Sequence, residues 1–177
     1  KSTLDLNFNH PIKELIWVLP QTKSQQSLGS SDTGADIIYD ATLATGSSKN
    51  DYFNYSSKNN TPIEYIYGQE SYEAFNTATI KLNGHSRFKE REASYFRLCQ
   101  PQQSGHKLPT KHIYMYSFAL NPEEHQPSGT CNFSRIDNAH LILNTLNDST
   151  DTCKLNVYAI NYNVLRIMSG MGALAYA

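Results

Sequence analysis

Six histidines and one pair of adjacent acids are the side chains of this chain that could do acid–base or metal chemistry. Metal sites built from histidine show as HxH, HExxH or i,i+4 spacing. The six have none of these spacings: His10, His85, His106, His112, His125 and His140. Paired carboxylates can serve as acid and base, but Glu123 and Glu124 follow Pro122 in a turn, where neighbouring side chains diverge into solvent. The pattern predicts no catalytic, metal or cofactor site.

Two glycine-containing stretches invite comparison with nucleophile elbows and phosphate-binding loops. Neither Ser128-Gly129 nor the run from Ser169 to Gly172 contains GxSxG or Gly-Lys-Ser/Thr. Turn formation explains both better, because Pro127 fixes φ and Gly129 tolerates positive φ. Gly170 and Gly172 are predicted to allow a bend or a close backbone approach late in a sheet.

The three cysteines, Cys99, Cys131 and Cys153, are odd in number and widely spaced. A disulfide framework shows an even set and a zinc site shows close pairs. The spacing therefore predicts buried free thiols, as in a reducing compartment.

Asparagine-linked glycosylation has four acceptor tripeptides in the chain, beginning at Asn54, Asn59, Asn132 and Asn147. Some matches arise by chance in so asparagine-rich a sequence. Asn54 and Asn59 remain candidates because they lie in a long polar loop.

Arg135 and Arg166 each lie in or beside an apolar or aromatic stretch. An isolated buried guanidinium is costly unless it is paired. The sequence favours a structural ion pair, with Asp137 or Glu14 as partner, and the alternative is a bridge to a neighbouring subunit.

The elements that carry these residues are predicted to be strands. Period-two alternation recurs in residues 12–19, 79–82, 139–144 and 153–159, separated by turn residues. The strand around Trp17 is apolar on both faces. After Ala159 the apolar phase slips to Ile160, Tyr162 and Val164, which predicts a β-bulge or a change of sheet. Phe88, Tyr95 and Phe96 have the spacing of a short amphipathic helix around the KEREAS segment.

Composition and length fit one all-β domain. The 177 residues include twelve tyrosines, and residues 21–60 form a long polar loop insertion between strands. A net charge of −1 argues against direct nucleic-acid binding. No stretch approaches the roughly 18 uninterrupted apolar residues of a membrane span.

Five blocks, in order along the chain, resemble the major capsid proteins of large icosahedral double-stranded DNA viruses, of the iridovirus and phycodnavirus type. The blocks are HPIKELIWV (His10 to Val18), LNGHSRF (Leu82 to Phe88), YFRLCQP (Tyr95 to Pro101), YMYSFALNPEEHQPSGTCNFSR (Tyr114 to Arg135) and NVYAINYNVLRIMSGMGALAY (Asn156 to Tyr176).

The resemblance implies an eight-stranded antiparallel jelly-roll sandwich, the second roll of a double jelly-roll protein. Residues 1–177 would be this single roll, and the amino-terminal roll is absent from the chain. It also implies homotrimeric pseudo-hexagonal capsomers that tile an icosahedral shell, contacts with neighbouring capsomers and minor capsid proteins, assembly in the host cytoplasm, and no cofactor or active site.

Two strands are apolar on both faces: the strand around Trp17 and the strand at residues 114–120. Their outer faces are therefore predicted to contact a partner. One face of each packs on the opposite sheet, and the other needs a companion roll or another subunit.

Two alternative functions are a carbohydrate-binding jelly roll and a cupin-like enzyme. Sugar stacking would fall to Tyr52, Tyr55, Tyr65 and Tyr67, whereas a cupin needs clustered histidines that the sequence lacks.

Overall fold

A computed structural model describes residues 1–20, 55, 73–144 and 154–176. These residues form eleven strands and three short helical turns. The strands are β1 (Ser2–Asp5), β2 (Pro11–Val18), β3 (Thr77–Leu82), β4 (His85–Ser86), β5 (Arg91–Glu92), β6 (Tyr114–Ser117), β7 (Cys131–Asn132), β8 (Ala139–Asn144), β9 (Asn156–Asn161), β10 (Leu165–Met168) and β11 (Met171–Leu174). The helical turns are a π-helical turn (Tyr95–Cys99), which runs directly into α1 (Gln100–Gln103), and a 3-10 turn (Phe133–Arg135).

Two antiparallel sheets and one separate hairpin organise these strands. In the first sheet β8 lies between β1 and β3, and β4 and β5 pair in tandem with the other edge of β3. In the second sheet β2 is central, with β9 along one edge and β6 and β7 in tandem along the other. β10 and β11 pair only with each other among the described strands.

The core lies between the two sheets. β3 and β8 contribute inward-facing aliphatic side chains such as Ile80 and Leu141, as the alternation predicts. The second sheet contributes Trp17, which lies 5.3 Å from the ring of Phe96 and 6.2 Å from the ring of Tyr114, centroid to centroid. An aromatic cluster around the only tryptophan thus joins β2, β6 and the π-helical turn.

A β-bulge decides which face of β2 enters the core. Ile12 is opposite Asn161 and Glu14 is opposite Ile160, so β2 carries one extra residue at this point. The side-chain phase of β2 therefore shifts, and Ile12 and Leu15 both face the core. The sequence predicted that the apolar alternation shifts by one residue in β9, after Ala159, which is next to this position in the sheet. The structure places the extra residue in β2 instead, and Ile160 is exposed.

The helix predicted around KEREAS begins later than expected. Arg91 and Glu92 form β5, whose backbone is used in pairing with β3, and helical structure is found from Ala93 onwards. Phe96 is fully buried, so its packing against Trp17 positions the turn.

The predicted antiparallel sandwich is present, but the described residues do not show the predicted count of eight strands. Three of the eleven strands are only two residues long. The long polar loop predicted at residues 21–60 lies outside the described residues, apart from the half-buried Tyr55. In the described part of the chain, no helix is long and apolar enough to span a membrane.

Candidate functional site

The outer face of the second sheet is the surface that the sequence predicted would need a partner. Part of it is closed by the chain itself, through residues 100–113, here called the covering segment. With Ile16 and Met115 of the sheet, this segment lines a cleft of about 120 Å³. Its contributing residues are Pro101, His106, Lys107, Pro109 and Ile113. The expectation of an external partner is therefore wrong for β2 and β6.

A carboxylate–imidazole–carboxylate bridge fixes the covering segment to the sheet. The His106 Nε2 atom lies 2.9 Å from Oε2 of Glu14, whose side chain is 3% exposed. Its Nδ1 atom lies 2.7 Å from Oε1 of Glu123, whose side chain is 64% exposed. Pro122 lies next to Glu123 in the turn, and its carbonyl oxygen accepts a hydrogen bond from the Lys13 ammonium of β2. Glu123 is therefore a structural contact and not merely a solvated acid.

The apolar outer face continues past the covering segment onto β9, where its large side chains are exposed. Tyr158 pairs with Ile16 across the ladder, so both lie on the outer face, and Tyr158 is 57% exposed. Ile160, opposite Glu14, is exposed as well. The covering segment thus does not extend from β2 onto β9.

The hairpin of β10 and β11 also exposes apolar side chains, with Leu165, Ile167 and Leu174 on one of its faces and Met168 and Met171 on the other. Together with the outer face of β9 it forms what we call the β9–β11 surface. Its nine large exposed side chains are Tyr158, Ile160, Val164, Leu165, Ile167, Met168, Met171, Leu174 and Tyr176. Large apolar side chains exposed in such number are uncommon on monomers and mark interaction sites.

The hairpin itself is regular. Met168 is opposite Met171, which leaves Ser169 and Gly170 as a two-residue turn with φ of 52° and 78°. Positive φ at both positions is typical of a type I′ turn, which matches the twist of paired strands. At the open end, the Asn163 side chain accepts hydrogen bonds from the backbone N–H groups of Val164 and Tyr176. The predicted bend at Gly170 is confirmed.

Neither arginine lies in a buried environment. Arg135 is exposed in the 3-10 turn and Arg166 is exposed in β10. The inference that these guanidinium groups are buried is wrong, because the apolar neighbours of Arg166 are themselves exposed. Glu14, which was considered as a partner, binds His106 instead. A role for either arginine in a subunit contact stays a prediction.

Only some of the remaining sequence-predicted residues fall in the part of the chain that the structure describes. Asn54 and Asn59, Asn147, the tyrosines Tyr52, Tyr65 and Tyr67, and Cys153 are outside the described residues. Asn132 is exposed, and its side-chain oxygen accepts a hydrogen bond from the N–H of Ser134. Cys99 and Cys131 are free thiols, but Cys99 is exposed, contrary to the predicted burial. Burial raises the pKa of the Cys131 thiol.

No group of three or more potential metal ligands occurs within the described residues. The histidines instead make separate contacts. His106 bridges two carboxylates, and His140 Nδ1 lies 2.8 Å from Asp5 across β8 and β1.

A second polar cluster lies at the entrance to β3. Arg97 and Glu73 form an ion pair at 2.6 Å, and the Tyr114 hydroxyl donates to Glu73 Oε2 at 2.8 Å. Burial, reinforced by the Glu73 charge, raises the pKa of Tyr114 well above its usual value. Burial lowers the pKa of the nearby His112, and the attraction of Glu73 only partly opposes this. Neutral phenol and imidazole groups suit a structural network.

Sequence reasoning missed the Glu14–His106–Glu123 bridge. One signal was available, since Glu14 is the only acid in the mostly apolar PIKELIWV strand and a buried carboxylate needs a partner. The partner is 92 positions away, which no local pattern reveals.

Comparison with known proteins identifies the family. Residues 1–173 match the family described as large eukaryotic DNA virus major capsid protein. The chain belongs to this family. Its members are named for a structural part of the virus, which places the chain among structural proteins and not enzymes.

Individual relatives agree. The chain is 46% identical to the major capsid protein of Chrysochromulina ericina virus, over 85% of this chain and 28% of the relative. It is 42% identical to that of Paramecium bursaria Chlorella virus 1, over 97% of this chain and 42% of the relative. The structure of that virus's VP54, fitted into a reconstruction of the virophage Sputnik, superposes with a TM-score of 0.70 and 37% identity.

The VP54 superposition covers 99% of this chain and 46% of VP54. It confirms the predicted jelly-roll capsid fold, although not the count of eight strands. The chain spans less than half the length of each of these relatives.

Proposed function

We propose that the chain is the carboxy-terminal jelly roll of a major capsid protein that forms homotrimeric, pseudo-hexagonal capsomers. These capsomers tile an icosahedral shell, contact one another and minor capsid proteins, and assemble in the host cytoplasm. Residues 1–177 constitute one roll, and a second roll lies in the rest of the polypeptide. The chain acts mechanically and does not bind nucleic acid directly, in keeping with its net charge of −1.

The exposed β9–β11 surface is the observation that carries this proposal. Eight of its nine side chains are more than half exposed, next to a sandwich whose core residues are almost fully buried. A shell subunit gains stability when such a surface is covered on assembly, because burying apolar area contributes roughly 25 cal/mol per Å². The chain belongs to the capsid protein family, and assembly into a shell would bring neighbouring subunits onto this surface.

Native mass of the full-length polypeptide, purified from virus, tests the proposal. Native mass spectrometry should give three times the polypeptide mass, and electron microscopy should show a hexagonal outline. A stable monomer at micromolar concentration contradicts the proposal. The matched control is the chain of residues 1–177 alone, which lacks the other roll and is expected to trimerise more weakly.

A further inference from the structure

The turn between β3 and β4 is made by Asn83 and Gly84, the only Asn-Gly dipeptide in the chain. Leu82 pairs with His85 across it, so the turn has two residues. Both have positive φ, 49° for Asn83 and 82° for Gly84, which is typical of a type I′ turn. Asparagine tolerates this conformation and glycine adopts it freely. The geometry of the hairpin therefore accounts for the dipeptide.

The same dipeptide joins a carboxamide to an unhindered backbone nitrogen. The side-chain carbonyl carbon of Asn83 and the nitrogen of Gly84 can close into a five-membered ring. Both residues are exposed. Apart from its chain neighbours, no atom of the described residues lies within 4 Å of the position that a Cβ on Gly84 would take. Neither crowding nor exclusion of water therefore prevents a reaction between these two groups.

We propose that Asn83 is a deamidation site, and that the folded turn between β3 and β4 keeps it closed. In the reaction, the backbone nitrogen of Gly84 attacks the side-chain carbonyl carbon of Asn83. The bond from that carbon to the amide nitrogen breaks, ammonia leaves with the Gly84 proton, and a succinimide ring remains. Water then opens the ring at either carbonyl, which gives aspartate or isoaspartate. Water is the co-reactant, and nothing is oxidised or reduced.

The type I′ conformation keeps the reacting atoms apart. In such a turn ψ of the first residue is about 30°, which directs the nitrogen of Gly84 away from the Cβ atom of Asn83. Ring closure needs that nitrogen on the same side as Cβ, so ψ must rotate by nearly half a turn. The reaction therefore requires the turn to open.

Hydrogen bonds to the segment before β8 hold the turn in this conformation. The Asn83 Oδ1 atom accepts from the backbone N–H groups of Asp137 and Asn138, each at 3.1 Å. The backbone N–H of Asn83 donates to the carbonyl oxygen of Asn138 at 2.7 Å. Both the carboxamide and the backbone of Asn83 are thus fixed. Deamidation of the folded chain is slowed by the small fraction of time for which these bonds are open.

The two products affect the hairpin differently. Aspartate keeps a side-chain oxygen for the two N–H groups and adds one negative charge. Isoaspartate carries the backbone through the former side chain, which lengthens the turn by one carbon. A two-residue turn in a fixed register does not accommodate that carbon, so β4, which is two residues long, should lose its pairing with β3. Modification to isoaspartate therefore loosens this edge of the first sheet.

The test compares Asn83 deamidation in the full-length polypeptide, folded in buffer and unfolded in guanidinium chloride, at one pH and temperature. Peptide mass spectrometry with chromatographic separation of the isomers measures aspartate and isoaspartate at residue 83. The folded protein should react at least tenfold more slowly than the unfolded protein.

Variants of Arg87 test whether opening of the turn limits the rate. Arg87→Pro removes the N–H that donates to the carbonyl oxygen of Ile80 and holds β4 on β3, so it should speed the folded reaction at least threefold. Arg87→Ala is the matched control, because it keeps this N–H and should react at the unsubstituted rate. Fluorescence of the fully buried Trp17 reports whether each variant is folded. If Arg87→Pro is not, Asn138→Pro replaces it, since it removes one N–H donor to Asn83.

Four results would overturn the inference. Without conversion of Asn83 in the unfolded protein, the residue is not a modification site. Aspartate without isoaspartate indicates direct hydrolysis and excludes the ring. Equal rates in folded and unfolded protein show that the turn does not protect Asn83. Equal rates in the proline variant and Arg87→Ala show that opening of the turn does not limit the reaction.

Discussion

Replacing His106 by alanine should destabilise the chain more than replacing either carboxylate that it contacts. The three residues differ in exposure: the Glu14 side chain is 3% exposed, His106 is 19% exposed and Glu123 is 64% exposed. Loss of the imidazole leaves the Glu14 carboxylate buried without its hydrogen-bond donor. Loss of Glu14 removes the buried carboxylate itself and leaves a ring that water can reach, since His106 is 19% exposed.

The magnitudes follow from those exposures. Removing the hydrogen-bond partner of a buried polar group costs about 1–3 kcal/mol, and more when that group is charged, so the expected cost of His106→Ala is about 2–3 kcal/mol. Glu14→Ala should cost about 1–2 kcal/mol, as for a lost hydrogen bond to a charged group. Glu123→Ala should cost less than about 1 kcal/mol, because exposed pairs contribute little.

Urea unfolding of residues 1–177, followed by Trp17 fluorescence at one fixed pH, measures these differences. Glu124→Ala is the matched control, since Glu124 is the exposed neighbour of Glu123 in the same turn, and it should change the free energy of unfolding by less than about 0.5 kcal/mol. The reasoning is refuted if Glu123→Ala costs as much as His106→Ala. It is refuted equally if the double variant Glu14→Ala/His106→Ala shows fully additive losses, because contacting residues should couple.

Two further predictions concern residues away from this bridge. Burial lowers the pKa of His112 below 6.5, so the unfolded chain binds the proton more readily and stability falls as the pH drops through 6.5. In His112→Leu, the free energy of unfolding should therefore depend less on pH between pH 7 and pH 5 than in the unsubstituted chain. Parallel pH profiles of the two proteins contradict the lowered pKa of His112. Gly129 has φ of +144°, and a Cβ there would lie 2.9 Å from the carbonyl oxygen of Phe118, so Gly129→Ala should cost about 1–3 kcal/mol in thermal unfolding. Gly84→Ala, with φ of +82° and no atom within 4 Å, should cost less, and equal losses rule out the close contact as the cause.

Local patterns predicted much of the sandwich. The inward faces of β3 and β8, with Ile80 and Leu141, follow directly from alternation, because a strand with one buried face shows period two. The tolerance of positive φ at Gly129 and the bend at Gly170 were predictable from glycine alone, and both positions have positive φ. The family resemblance, carried by five blocks, is confirmed over residues 1–173.

What the sequence did not show depends on contacts between distant segments. The covering segment closes the outer face of β2 through a histidine 92 positions from Glu14, so the need for an external partner was assigned to the wrong strands. Apolar neighbours suggested that Arg166 is buried, but in the β10–β11 hairpin those neighbours are themselves exposed. Alternation predicts which side chains share a face. It does not predict whether anything packs on that face.

Methionine oxidation in the assembled particle tests the central claim, that this chain acts by burying the β9–β11 surface in a capsid shell. Met168 and Met171 are 54% and 74% exposed in the chain itself, whereas Met115 is 5% exposed and serves as an internal reference. Peroxide treatment followed by peptide mass spectrometry should show Met168 and Met171 oxidising readily in isolated residues 1–177. In purified virus particles, both should oxidise as slowly as Met115. Oxidation in the particle at the rate found for the isolated chain contradicts the account.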